Sequence, residues 1–120
     1  MSDKWLVLSS ESGESLKLRL ADNFWTRFKG LMGSEPPPTG EGVLIRPCNS
    51  IHMFFMKFAI DAIFLDRGYR IVKLIRNLAP GKVVGTVPEA FQVIEVKAGN
   101  LPDSFETGSV LFVSDSSENS

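Results

Sequence analysis

The sequence of 120 residues contains one cysteine and one histidine, and this scarcity excludes several kinds of site. A single cysteine cannot form an internal disulfide, so Cys48 is a free thiol, a ligand or a nucleophile. A blue-copper centre takes two histidines with one cysteine, and a closed zinc site takes four cysteine or histidine ligands. One chain therefore cannot build a blue-copper centre, and a zinc site lacks ligands. We expect no bound metal and no cofactor.

The sequence also lacks an excess of charge and a long apolar run. Thirteen Lys and Arg residues against fourteen Asp and Glu give a net charge of -1, which provides no long-range attraction for nucleic acid. The apolar run of residues 5–8 near the start is too short for a signal-peptide core or a membrane span. We therefore expect no nucleic-acid partner and no membrane association. A cytoplasmic monomer is our working assumption, unless an export segment has been removed.

Alternating apolar and polar residues, separated by glycine- and proline-containing turns, predict a mostly β fold. Residues 5–20 predict a hairpin with its turn at Gly13. From residue 43 onward short strands are predicted, among them "IHMFFMKF", "KVVGTV" and "FQVIEVK". Both faces of "IDAIFLD" are apolar, so this segment should be a central strand, and "DRG" should turn it antiparallel into "YRIVKLI". We predict one domain over residues 1–113, an antiparallel sandwich or jelly-roll-like barrel, followed by a disordered tail over residues 114–120.

A single helix is predicted over about residues 22–32. Four apolar residues recur there at helical spacing: Phe24, Phe28, Leu31 and Met32. Asp22 is the expected N-cap, and Gly33 is expected to end the helix. Gly30 lies in the predicted last turn, where glycine usually marks the close approach of another backbone.

The segment "CNSIHMFFM" carries Cys48, His52 and Met56 at the spacing C-x3-H-x3-M. In an extended strand the first two would lie roughly 13 Å apart, so they meet only if the chain turns at residues 47–50. With such a turn, a Cu(I) site of these three residues and Met53 is a hypothesis, because thiol, thioether and imidazole are soft ligands. A nucleophilic dyad of Cys48 and His52 would need the same turn.

Asp61 interrupts the apolar run "KFAIDAIFL", where a carboxylate must be paired or hydrogen-bonded. In the structural interpretation it accepts backbone N–H bonds or a salt bridge from Arg27, Arg46 or Lys57. In the functional interpretation it is a general base or a ligand anchor, with His52 nearby.

The segments "RFKGLMG", "GVLIRPCNSIHMFFMKFAIDAIFLD", "APG" and "GSVLFV" resemble the domain of unknown function 192 family, over about residues 16–113. The resemblance implies a mostly β fold with one helix near the start, and it implies no reaction, cofactor or catalytic residue. Other branches of the family carry Trp at the position of His52, which argues against a family-wide catalytic role for this histidine.

We expect a non-enzymatic β domain that binds a small molecule or another protein. The candidate ligand-binding residues, which cluster in the sequence, are Gly30, Met32, Cys48, His52, Met53 and Asp61. The alternative is a small hydrolase or lyase that uses Asp61 as a base, with His52 or Cys48 assisting. A concave pocket joining Asp61, His52 and an arginine would favour the enzyme, whereas an Asp61 held by backbone amides would favour the binding domain.

Overall fold

The computed structural model describes residues 4–115, apart from the side chains of Phe24, Trp25, Phe28 and Asp115. Within this range the elements are β1 (Trp5–Ser9), β2 (Ser15–Ala21), α1 (Phe24–Lys29), β3 (Glu41–Ile45), β4 (Ile51–His52), β5 (Ile60–Leu65), β6 (Ile71–Leu78), β7 (Val83–Val84), β8 (Gln92–Lys97) and β9 (Phe112–Asp115).

Seven of these strands form one curled sheet in the order β6-β5-β8-β3-β2-β1-β9, which has the shape of a half-barrel. All neighbouring strands are antiparallel except β2 and β3, which run parallel. Register shifts between β5 and β6 interrupt regular pairing, and such bulges bend a sheet. The predicted mostly β class with a barrel-like sheet is confirmed. The parallel pair was not predicted. It is possible because the connection between β2 and β3, residues 22–40, is long enough for a crossover.

The predicted hairpin and central strand are both present. β1 pairs antiparallel with β2, and every residue of β5 is buried between β6 and β8. Ser114 and Asp115, the first two residues of the predicted tail, belong to β9 and pair with β1. The rest of the predicted tail, residues 116–120, lies outside the described residues.

Two predicted strands are mostly loop. Of "IHMFFMKF" and "KVVGTV", only β4 and β7 are extended, and they form a separate two-stranded ribbon. After β4 the chain turns at Met53, whose backbone N–H donates to Lys82 O at 2.7 Å. Phe55 follows with a φ of 63° and is 80% exposed. The aromatic residues of "IHMFFMKF" give the segment the composition of a strand, but the chain turns within it.

The helix is shorter than predicted, and different residues cap it. Asn23 is the N-cap: its side chain accepts from Thr26 N at 3.0 Å and completes a capping box with the Thr26 hydroxyl. Gly30 ends the helix with a φ of 48°, a conformation that glycine adopts without steric cost. The predicted caps Asp22 and Gly33 were therefore wrong by one and three positions.

Each face of the sheet carries a separate apolar cluster. One face packs against the segment that contains Leu101, Phe105 and Leu111. The other is covered by the turn after α1 and by the connections around β4, and it includes Val93 of β8. The second face, together with the segments that cover it, forms the cleft described below.

Candidate functional site

A cleft of about 360 Å³ opens between the end of α1, the segment from β3 to β4, and the middle of β8. Its polar lining consists of Arg27, Lys29, Cys48, Asn49, Ser50, His52 and Glu95. Its apolar lining consists of Leu31, Met32, Ile45, Pro47, Ile51 and Met56, together with the backbone of Gly30. Concave sites with a few convergent polar groups on an apolar wall are the usual form of small-molecule sites.

Glu95 is the most unusual residue of this cleft. It lies in the middle of β8, between Val43 of β3 and Ala62 of β5 in the sheet register, and it is 5% exposed. Burial raises the pKa of this carboxyl to about 7, while a hydrogen bond from the backbone N–H of Leu31 acts in the opposite direction. Near neutral pH the side chain is therefore present in both its protonated and its ionised form.

The chain leaves room for this carboxyl at Gly30. A Cβ at that position would lie 3.2 Å from Glu95 Oε1 and 3.2 Å from Ile45 Cδ1. A close approach does occur at Gly30, but the approaching groups are the side chains of Glu95 and Ile45, so the expected approach of another backbone was wrong. Gly30 thus both ends α1 and admits Glu95 to the cleft wall.

Sequence reasoning missed Glu95, although a signal was present. "FQVIEVK" reads as an ordinary alternating strand, in which a lone glutamate is normally on the solvent side. In the structure β8 lies between β3 and β5, and both of its faces are covered. A carboxylate inside an apolar strand must be stabilised there or serve a function, and this holds for Glu95 as it does for Asp61.

Arg27 brings a positive charge to the opposite side of the cleft. Its Nη1 donates to the Pro47 carbonyl at 3.1 Å, whereas its Nε is buried and has no hydrogen-bond partner among the described residues. Within residues 4–115, the ion pair found is between Lys57 and Glu35, at 3.6 Å. Arg27 and Lys29 therefore enter the cleft without a carboxylate partner from the described part of the chain.

Cys48 lines the same cleft and is influenced by the charges of both Glu95 and Arg27. It is a free, half-buried thiol whose Sγ donates to the Ser50 carbonyl at 3.1 Å. Burial raises the pKa of the Cys48 thiol, and of the two nearby charges Glu95 adds to this rise while Arg27 opposes it. A thiol in this environment stays protonated near neutral pH and is a weak nucleophile.

The chain turns between β3 and β4, as the C-x3-H-x3-M pattern required, and Cys48, His52 and Met56 all line the cleft. Met53 does not, since it is 1% exposed and packs in the core. His52 accepts from Phe54 N at 3.4 Å, and its ring stacks on the Phe54 ring. Among residues 4–115 no three His, Cys, Asp or Glu side chains group together as a metal site. The hypothesis of a Cu(I) site therefore loses Met53 as a ligand, and for the three cleft residues it stays a hypothesis.

Asp61 lies away from the cleft. It is 2% exposed, and its two carboxylate oxygens accept from Asn77 N at 2.8 Å and from Gly99 N at 3.0 Å. It projects from the opposite face of the sheet to Glu95, since its neighbour Ala62 is the residue opposite Glu95. Of the two structural alternatives, backbone hydrogen bonds are the one observed. The structure therefore brings Gly30, Met32, Cys48 and His52 together, but neither Asp61 nor Met53 joins them.

The fold and the cleft define the class of protein: a curled, mostly β domain with a small cleft beside a buried glutamate. The chain belongs to the DUF192 family ("Uncharacterized ACR, COG1430"), whose model matches residues 7–111. No helix within the described residues is long and apolar enough to cross a membrane.

Two archaeal relatives are similar in sequence, and both carry the name UPF0127 protein. The relative from Pyrococcus horikoshii is 36% identical over 69% of this chain and 74% of its own length. The relative from Thermococcus sibiricus is 43% identical over 50% of this chain, and the match spans 42% of that relative's length. A protein of unknown function from Novosphingobium aromaticivorans has a similar fold, with a TM-score of 0.75, 19% identity, and coverage of 90% of this chain and 83% of that one.

Proposed function

We propose that this protein is a non-enzymatic β domain that binds a small molecule in the cleft between α1 and β8. The observation that carries the proposal is the placement of Glu95. Burying a carboxyl group in an apolar sheet is costly, and this one lies on the wall of a concave site instead of forming a buried ion pair. In this position the carboxyl group can orient a ligand, whereas its burial does not stabilise the sheet.

The geometry supports binding more than it supports the alternative hydrolase or lyase. That enzyme would use Asp61 with His52 or Cys48, yet Asp61 is held by two backbone amides on the other face of the sheet. The Cys48 thiol has a raised pKa and donates to a carbonyl, so it is not activated for attack. A small molecule fits better than a protein partner because the convergent groups lie inside a concave cleft.

Chemical-shift mapping on the ¹⁵N-labelled protein tests this proposal with three matched probes: benzoate, benzamide and benzylamine. We expect at least one probe to shift amide resonances around the cleft, including Gly30, Leu31 and Cys48. Ser50→Trp places a bulky side chain at the exposed rim of the cleft and should abolish these shifts. Thr107→Trp, at an exposed position outside the cleft lining, is the matched control and should preserve them. Shifts that are absent, or that persist in Ser50→Trp, would contradict the proposal.

A further inference from the structure

We propose that the ligand of the cleft is a carboxylate anion, held by the Arg27 guanidinium and by Glu95 in its protonated form, so that binding takes up a proton. This inference rests on the proposed function, because it names the chemical class of the ligand at the same site. It follows from the charges in the cleft and from the position and surroundings of Glu95.

The positive charges in the cleft favour an anionic ligand. Arg27 and Lys29 both line the cleft, and neither has an ion-pair partner within the described range 4–115. A carboxylate ligand would complement the charge of the Arg27 guanidinium and could form a charge-assisted pair with it, whereas an amine would meet like charge.

Glu95 lies where its protonated carboxyl group can donate to a ligand in the cleft. Its carboxyl accepts from Leu31 N and lies against the backbone of Gly30, so the group is fixed at the cleft wall. Two carboxylates brought together in such a site do not both stay ionised, because like charges disfavour each other. The buried glutamate is the group that keeps a proton near neutral pH, and its O–H then donates to the ligand.

The other ionisable groups around Glu95 determine which control variants the pH experiment needs. From the side of α1 the cleft receives Arg27 and Lys29, and from the segment between β3 and β4 it receives Cys48 and His52. The flanking strands place Val43 and Ala62 beside Glu95, and neither ionises.

His52→Asn removes the imidazole from the cleft and separates its contribution to the pH dependence from that of Glu95. An amine ligand would show the opposite pH dependence, because it would prefer the ionised form of Glu95.

Titration of the same three probes at pH 6 and pH 8, followed by amide chemical shifts, tests the inference. Benzoate should bind more tightly than benzamide or benzylamine, and its Kd should rise about tenfold from pH 6 to pH 8 as one proton is lost. Glu95→Gln keeps the shape of the side chain and should make the Kd independent of pH. His52→Asn should retain the tenfold change. Arg27→Lys keeps the charge but removes the planar guanidinium, and should weaken benzoate binding while leaving benzamide unaffected.

Two outcomes would overturn the inference and leave the proposed function standing. One is binding of benzamide or benzylamine in the cleft that equals or exceeds binding of benzoate. The other is binding of benzoate with the same Kd at pH 6 and pH 8 in the wild-type protein. A complete lack of cleft shifts with all three probes would overturn the proposed function as well.

Discussion

The replacement Glu95→Gln should stabilise the protein, and the gain should grow with pH. The folded protein holds the pKa of this carboxyl at about 7, raised from 4.5. Between these two values the folded state keeps a proton that the unfolded state releases, so the free energy of unfolding falls as pH rises. The contribution is fully present below about pH 4.5 and is lost once the pH passes about 7. At about 1.4 kcal/mol per pKa unit the loss amounts to about 3 kcal/mol.

Glutamine resembles the protonated form and does not titrate, so it should escape this loss. Urea unfolding of wild type and Glu95→Gln at pH 5, 6, 7 and 8, followed by circular dichroism, measures the difference at each pH. Between pH 5 and pH 8 the advantage of the variant should increase by about 2.5 kcal/mol, because part of the loss has already occurred at pH 5; this is equivalent to a rise in Tm of about 10 °C. Glu106→Gln, at an exposed glutamate, should stay within about 0.5 kcal/mol of wild type at every pH. A difference for Glu95→Gln that does not change with pH would refute the reasoning.

Two further replacements and one chemical modification test Asp61, Gly30 and Cys48. Asp61→Ala leaves two buried backbone N–H groups without an acceptor and should lower the free energy of unfolding by about 3–5 kcal/mol. The chemical-shift changes that the probes cause in the cleft should persist in this variant. Their loss would indicate that Asp61 does take part in binding. Gly30→Ala combines a positive φ with crowding against Glu95 and should cost about 2–3 kcal/mol in urea unfolding. Gly13→Ala has the same kind of backbone strain in open space, and an equal cost for both variants would argue against the crowding. Iodoacetamide should alkylate Cys48 several-fold more slowly than free cysteine at pH 8, because burial raises its pKa, and faster in Glu95→Gln; equal rates would contradict this environment.

Local patterns were sufficient wherever neighbouring residues decide the structure. The alternation in residues 5–20 predicted the hairpin, and the apolar run of β5 predicted a strand buried on both faces. Patterns failed where a turn overrode them. "IHMFFMKF" has a strand-like composition, yet the backbone of Met53 pairs with Lys82 and Gly81 in a tight crossing of two loops. Sequence neighbours carry no information about such a partner nearly thirty residues away.

The candidate site shows the same division. Gly30, Met32, Cys48 and His52 were expected together and do line one cleft. Asp61 was selected because a carboxylate in an apolar run is unusual, and the structure explains it by two backbone hydrogen bonds. The same rule was not applied to the glutamate of β8, because an alternating strand normally turns such a residue towards water.

The sequence by itself determined the class of the fold, the hairpin at its start, the existence of one short helix, and the exclusion of a blue-copper centre within one chain. These conclusions depend on composition, counting and local periodicity. Only the tertiary structure decided which of two buried carboxylates reaches the cleft. Asp61 and Glu95 lie on adjacent strands one register position apart, and the pleat directs them to opposite faces. Which face is closed by backbone amides and which opens on a cleft depends on the loops that pack there, and those contacts join residues far apart in the chain.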